Sequence, residues 1–164
     1  MSQSGLVTIT GGKWTTYRKM AEDTVDHAAP VAGLEPAPCP TRELPIHGHH
    51  HDAGRFGPLA VYGSDAPELE ALARDRPELG ERLHPDLPVL RVEVVWAVRK
   101  EMARRVEDVL SRRTRALILD ARAATAVAGE VASLMASELG RDQGWARRET
   151  EAFRELARTY LVEG

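Results

Sequence analysis

Only one stretch of this 164-residue chain has β character, and that most limits the folds open to it. Leu6-Val7-Thr8-Ile9-Thr10 is a short, β-branched run that the periodicity assigns to a strand. A lone strand of five residues cannot make a sheet, because its main-chain groups need neighbours. Everything after Lys13 that repeats does so at helical spacing. The expected fold is therefore mainly α, a domain of about five helices plus one N-terminal strand belonging to a sheet built by other sequence.

The strand runs into Gly11-Gly12-Lys13 and then into a helical pattern. Paired glycines allow positive φ and let a ligand approach without meeting a Cβ. The following helix aims its free N–H groups and positive dipole end at the same place. Such a corner suits an anionic or electron-rich group. A glycine turn needed only for chain reversal is the plainer alternative.

Three regions follow from composition. Residues 1–29 form the strand-glycine-helix corner, whose helix, about Lys13 to Ala29, carries Trp14, Tyr17, Ala21, Thr24, Val25 and Ala28 on one stripe. Trp14 and Tyr17 are expected as core anchors, and Thr15 and Thr16 as capping hydroxyls. Residues 30–58 are rich in Pro and Gly and read as a long connection. Residues 59–164 form a helical domain. Its helices are expected at Ser64–Asp75, about Val89–Leu110, Ala121–Leu139 between Asp120 and Gly140, and beyond a capping Asp142. The last carries Trp145, Ala152, Phe153, Leu156 and Tyr160 on one face. Arg99 lies within the apolar stripe of Val92, Val95, Trp96, Met102, Ala103, Val106, Val109 and Leu110, so it must find a carboxylate or carbonyl partner or reach solvent. A structural ion pair is the favoured role.

Other classes of function fit poorly. A net charge of −3 with both signs interspersed, and no basic block flanked by aromatics, gives no argument for nucleic acid. Cys39 is the only cysteine, so neither an internal disulfide nor a cysteine zinc site can form, and a free thiol points to the cytoplasm. No long apolar run or leader pattern is present. His47-Gly-His-His-His-Asp52 has metal-binding chemistry, but a Gly-flanked loop offers neither fixed geometry nor supporting hydrogen bonds, and no metal is expected there. Only three of the 22 basic residues are lysines, and one, Lys13, stands at the mouth of the glycine corner.

The string Thr10-Gly-Gly-Lys-Trp-Thr-Thr-Tyr-Arg-Lys-Met-Ala-Glu-Asp23 resembles the signature that opens the C-terminal region of FAD-dependent glycerol-3-phosphate dehydrogenases. The resemblance resumes at Glu93-Val-Val-Trp-Ala-Val-Arg-Lys-Glu-Met-Ala103, at Glu107 to Ala116 and at Leu134 to Gly140; Arg105 departs from the family's usual Thr. It implies an N-terminal FAD-binding region outside this sequence, so that the chain reads as a C-terminal piece inactive by itself. It also implies oxidation of sn-glycerol 3-phosphate to dihydroxyacetone phosphate, with hydride passing from C2 to flavin N5 and electrons to a membrane quinone. By motif position, Thr10, Gly11, Gly12, Lys13, Thr15 and Thr16 would border the cofactor. Lys13 would be the catalytic residue and would bind substrate together with Arg18. The same likeness implies that the helical blocks pack against the rest of the enzyme, with Arg99, Arg112 and Arg113 bridging helices or domains. A cytoplasmic location on the inner membrane face, peripheral membrane contact and a homodimer are compatible with it. An O₂-using glycerol-3-phosphate oxidase, a stand-alone helical interaction module and a His47–Asp52 metal protein stay open as alternatives.

Overall fold

The computed structural model describes residues 4–161, which divide into two units, 4–47 and 48–161. In the first unit, a 3-10 turn over Trp14–Thr16 leads into α1, Tyr17–Val31, and a second turn covers Pro40–Arg42. None of its described residues is buried. Two expectations are corrected here. Leu6–Thr10 forms no strand, because a ladder needs a second chain segment and no described residue supplies one. Trp14 and Tyr17 are not core anchors: they are 85% and 53% exposed and stack on each other with ring centres 5.2 Å apart. A stripe anchors a core only where something covers it.

The second unit holds all the buried residues among those described. A run of 3-10 turns over Ala53–Asp65, interrupted at Gly57 and Gly63, precedes α2, Ala66–Asp75. A further turn at Pro77–Gly80 and an isolated bridge between Arg82 and Leu90 lead to α3, Arg91–Lys100. Then come a π-turn at Asp108–Arg113, the short α4, Ala116–Leu119, the long α5, Ala121–Leu139, and α6, Gln143–Arg158. α3 is central. Every residue from Val92 to Val98 is buried, so α3 is apolar almost all round, as a helix enclosed on every side must be. Val92, Val95 and Trp96 pack on Phe56, Leu59, Leu69 and Leu79. Val94, Ala97 and Val98 face a larger cluster that includes Leu110, Val131, Met135 and Phe153. Each fully buried large aliphatic contributes about 1.5–3 kcal/mol.

The caps expected for α5 and α6 are present, whereas α2, expected to be capped by Ser64, begins at Ala66 after Asp65 without a side-chain cap. The Asp120 carboxylate accepts from the N–H groups of Arg122 and Ala123, and that of Asp142 from Trp145, while Gly140 ends α5 at φ 63°. The buried line of α6 is Ala146, Thr150, Phe153 and Ala157, so Ala152 and Tyr160 from the expected face stand in solvent. The expected helix from Val89 to Leu110 is cut at Lys100. Met102 takes a left-handed conformation at φ 56°, and Asp108 draws the N–H groups of Arg104 and Arg105 onto its own carboxylate, starting a new turn. Met102, expected on the buried stripe, is 76% exposed. No helix among the described residues is long and apolar enough to cross a membrane.

Gly129 lies inside α5 where it faces α6, and a Cβ there would meet only the Thr150 methyl at 3.9 Å, an ordinary contact. Gly129→Ala should therefore stabilise the domain by about 0.5–1 kcal/mol, read as a higher urea midpoint at unchanged slope.

Candidate functional site

The glycine corner forms an open groove of about 610 Å³ lined by Ile9, Gly11, Gly12, Lys13, Trp14 and the α1 face from Tyr17 to Val25. Its main chain is unusual. Gly11 and Gly12 are both left-handed, at φ 78° and 98°. A Cβ on Gly11 would meet nothing within 4 Å, so its main chain lies open to the groove. On Gly12 a Cβ would lie 2.0 Å from the Met20 sulfur, the end of a flexible side chain that can swing aside, so what calls for glycine there is the backbone at φ 98°.

Of the residues the motif assigns to the cofactor, Gly11, Gly12 and Lys13 line the groove, whereas Thr10, Thr15 and Thr16 are exposed and do not. Thr16 does what a capping hydroxyl does. Its Oγ1 accepts from the Lys13 N–H at 3.1 Å and donates to the Lys13 carbonyl at 3.0 Å, fixing the lysine's main chain at the head of the helix. The Lys13 ammonium itself makes no ion pair with a described residue. Arg18 differs: its Nη1 donates to Glu22 at 2.8 Å and to Thr41 Oγ1 at 3.2 Å, tying the Pro40–Arg42 turn to α1. The two cations expected at the substrate are thus in different states, one uncommitted and one engaged.

The histidine-rich stretch is held by packing. The His50 ring stacks on His51, meets Phe56 edge-on with centres 5.0 Å apart, and accepts the Asp52 N–H on Nδ1. No group of three or more metal-ligating side chains comes together among the described residues.

Two acids whose partners spacing alone did not reveal lie in the second unit. Glu93, 6% exposed, accepts the Tyr62 hydroxyl at 2.9 Å and the Leu90 N–H at 2.7 Å. Burial raises its pKa, and burial together with the Glu93 charge raises that of Tyr62. Glu138 is the partner that Arg99 needs. The Arg99 guanidinium grips it at 2.6 and 3.1 Å, and Arg76 adds a third contact at 3.1 Å. Arg99 therefore joins α3 to α5. Arg112 pairs with Glu107 and Asp108, and Arg113 reaches the Glu101 carbonyl at 2.6 Å.

Burial alone would raise the Glu138 carboxyl, but Arg99 and Arg76 reverse this and hold it below its ordinary 4.5. The sign follows from linkage: the triad's stabilisation is complete above about pH 4.5 and is lost as pH falls through the depressed native value. Glu138→Gln should cost about 1–3 kcal/mol at pH 7 and flatten the acid limb of stability against pH, measured by urea titration from neutral to acid pH.

A model of the C-terminal domain of alpha-glycerophosphate oxidase matches residues 7–146. The chain is 38% identical to a probable mitochondrial glycerol-3-phosphate dehydrogenase of Caenorhabditis elegans, covering 98% of this chain and 24% of that protein. Identity to the mitochondrial glycerol-3-phosphate dehydrogenase of Mesocricetus auratus is 36%, again with 98% and 24% covered. For the Arabidopsis thaliana mitochondrial enzyme it is 33%, with 95% and 30% covered. The chain thus spans a quarter to a third of the length of these curated relatives. No solved structure matches it.

Proposed function

We propose that this chain, which belongs to the family of the C-terminal domain of alpha-glycerophosphate oxidase, closes the flavin site of an FAD-dependent glycerol-3-phosphate dehydrogenase. The observation that carries this reading is the corner itself: two consecutive left-handed glycines, open space where a Gly11 side chain would stand, and an adjoining ammonium with no ion-pair partner among the described residues. Bare main-chain N–H groups and a cation at a helix start favour negative charge, the requirement at the electron-rich end of a reduced flavin and at a phosphate.

FAD, when bound, supplies the acceptor for the hydride leaving C2 of glycerol 3-phosphate. The chain's own residues orient and neutralise. Gly11 and Gly12 present main chain to the cofactor, with Thr10, Thr15 and Thr16 bordering it. Lys13 holds the substrate phosphate or the oxygen that becomes the carbonyl. Arg18 reaches substrate only by giving up Thr41, and otherwise positions α1. The electrons go on to quinone, at the surface of the membrane that holds it. We place the enzyme peripherally on the cytoplasmic face, whereas the relatives' names are mitochondrial. A homodimer is compatible with this arrangement. The family's name is that of an oxidase, so O₂ is the competing acceptor, and peroxide release against quinone reduction separates the two.

The test compares two proteins. The purified 164-residue chain, given FAD and glycerol 3-phosphate, should not turn over. Joined to a flavin-binding portion it should reduce a soluble dye on addition of the substrate. Turnover by the chain alone, or none by the joined protein, would refute the proposal.

A further inference from the structure

Gly129 stands in the middle of α5, where glycine is less stable than alanine. Neither usual reason for keeping it there applies. Its backbone is helical and is not among the glycines at positive φ. The approach of α6 does not require it either, since a Cβ would meet only the Thr150 methyl at 3.9 Å. What the missing side chain leaves is space: Gly129, with the buried Ala146 and Thr150, helps line a groove of about 370 Å³ between α5 and α6.

The exposed residues lining the same groove are polar, and the uncommitted ones on α6 are donors. The Gln143 amide and the Arg147 guanidinium, one helical turn apart, make no hydrogen bond or ion pair with a described residue. Glu151, the one carboxylate of the lining, is already engaged by Arg154 at 3.1 Å and does not cancel Arg147. The first turn of α6 carries no acidic residue, so the positive end of its dipole is answered only by the Asp142 cap. The groove is therefore a concave surface with spare positive charge and spare N–H groups.

We propose that the α5–α6 groove binds a small phosphate monoester. The planar fork of Arg147 matches two phosphate oxygens, and the Gln143 amide supplies a further donor to a third. Arg154 adds charge from the far end of the groove, and the space left at Gly129 takes the ester's short organic part. Protein is a poor occupant, whether another chain or more of this one. Covering the groove would strip water from Gln143, Arg147, Glu151 and Arg154 together, and Gly129, Ala146 and Thr150 offer little apolar area to offset that cost. The proposal stands independently of the flavin reading, since none of these residues belongs to the glycine corner.

The experiment treats the full protein with phenylglyoxal, which attacks exposed guanidinium groups, and maps the labelled arginines by mass spectrometry at rising concentrations of glycerol 2-phosphate. The expected result is saturable protection of Arg147 and none of Arg148, its exposed neighbour outside the groove. Gln143→Glu puts a negative charge against the ligand while an acid in the first turn suits the helix dipole. The half-protecting concentration should rise about tenfold or more with no loss of stability. Gly129→Ala should raise it about fivefold while the protein unfolds at higher urea, which separates loss of the groove from loss of the fold. Equal protection of Arg147 and Arg148 would mean a diffuse ion atmosphere. Absence of labelling at Arg147 before any ester is added would mean that protein covers the groove. Either result would overturn the proposal, as would no protection at all or unchanged protection in either variant.

Discussion

Gly63→Ala is expected to cost about 3 kcal/mol or more, enough to unfold a large share of a marginally stable domain. Gly63 is buried in the 3-10 run of Ala53–Asp65 at φ 50°, ψ −116°, a region that only glycine enters freely. A Cβ there would stand 1.8 Å from the Gly48 carbonyl oxygen and 2.9 Å from its carbon. These are main-chain atoms, so no side chain can swing aside, and the same carbonyl accepts the Ser64 N–H at 3.2 Å. Relief would have to come from moving the run that supplies Phe56, Leu59 and Tyr62 to α3. Gly57 provides the control. It has nearly the same backbone, φ 55°, ψ −120°, but open space at its Cβ, so Gly57→Ala should cost only the conformational part, about 1–3 kcal/mol. Urea titration of the two variants reads the difference; equal losses would mean that the Gly48 contact contributes nothing.

Local chemistry was legible in the sequence and distant chemistry was not. Asp120, Asp142 and Gly140 act within three or four residues of themselves, so spacing alone assigns them to helix ends. That Arg99 needs a partner also follows from its place on the stripe. That the partner is Glu138, 39 residues away, depends on how α5 crosses α3. Tyr62 and Glu93, 31 residues apart, pose the same difficulty. The break after Lys100 carries neither glycine nor proline; it comes from Asp108 capping backward and Arg113 clamping Glu101, contacts that no window of hydrophobic periodicity contains. At the corner, the glycines' left-handed backbone and the Thr16 cap follow from the motif. The exposure of Trp14 and Tyr17 does not, because an amphipathic stripe shows that a face is apolar without showing what covers it.

Lys13→Ala carries the largest expected effect on function. In the joined enzyme, kcat/KM for glycerol 3-phosphate should fall about 10- to 1,000-fold, the range for removing a charged donor from a developing or resident anion. The fold should be untouched, because the ammonium makes no ion pair with a described residue and the main chain is held by Thr16 whatever the side chain. Arg18→Ala should do the reverse: its pairing with Glu22 and Thr41 is solvent-screened and contributes little to stability, so loosening of the Pro40–Arg42 turn should exceed any loss of rate. Lys13→Arg keeps the charge but changes its shape, and so asks whether a compact ammonium is required. The two roles open to Lys13 separate on glycerol, which lacks the phosphate. If the ammonium holds the phosphate, Lys13→Ala should slow glycerol 3-phosphate oxidation and leave the rate measured with glycerol in its place nearly unchanged. If it holds the reacting oxygen, both substrates should lose rate in proportion. A variant that oxidises both at the parent rate would remove Lys13 from the site altogether.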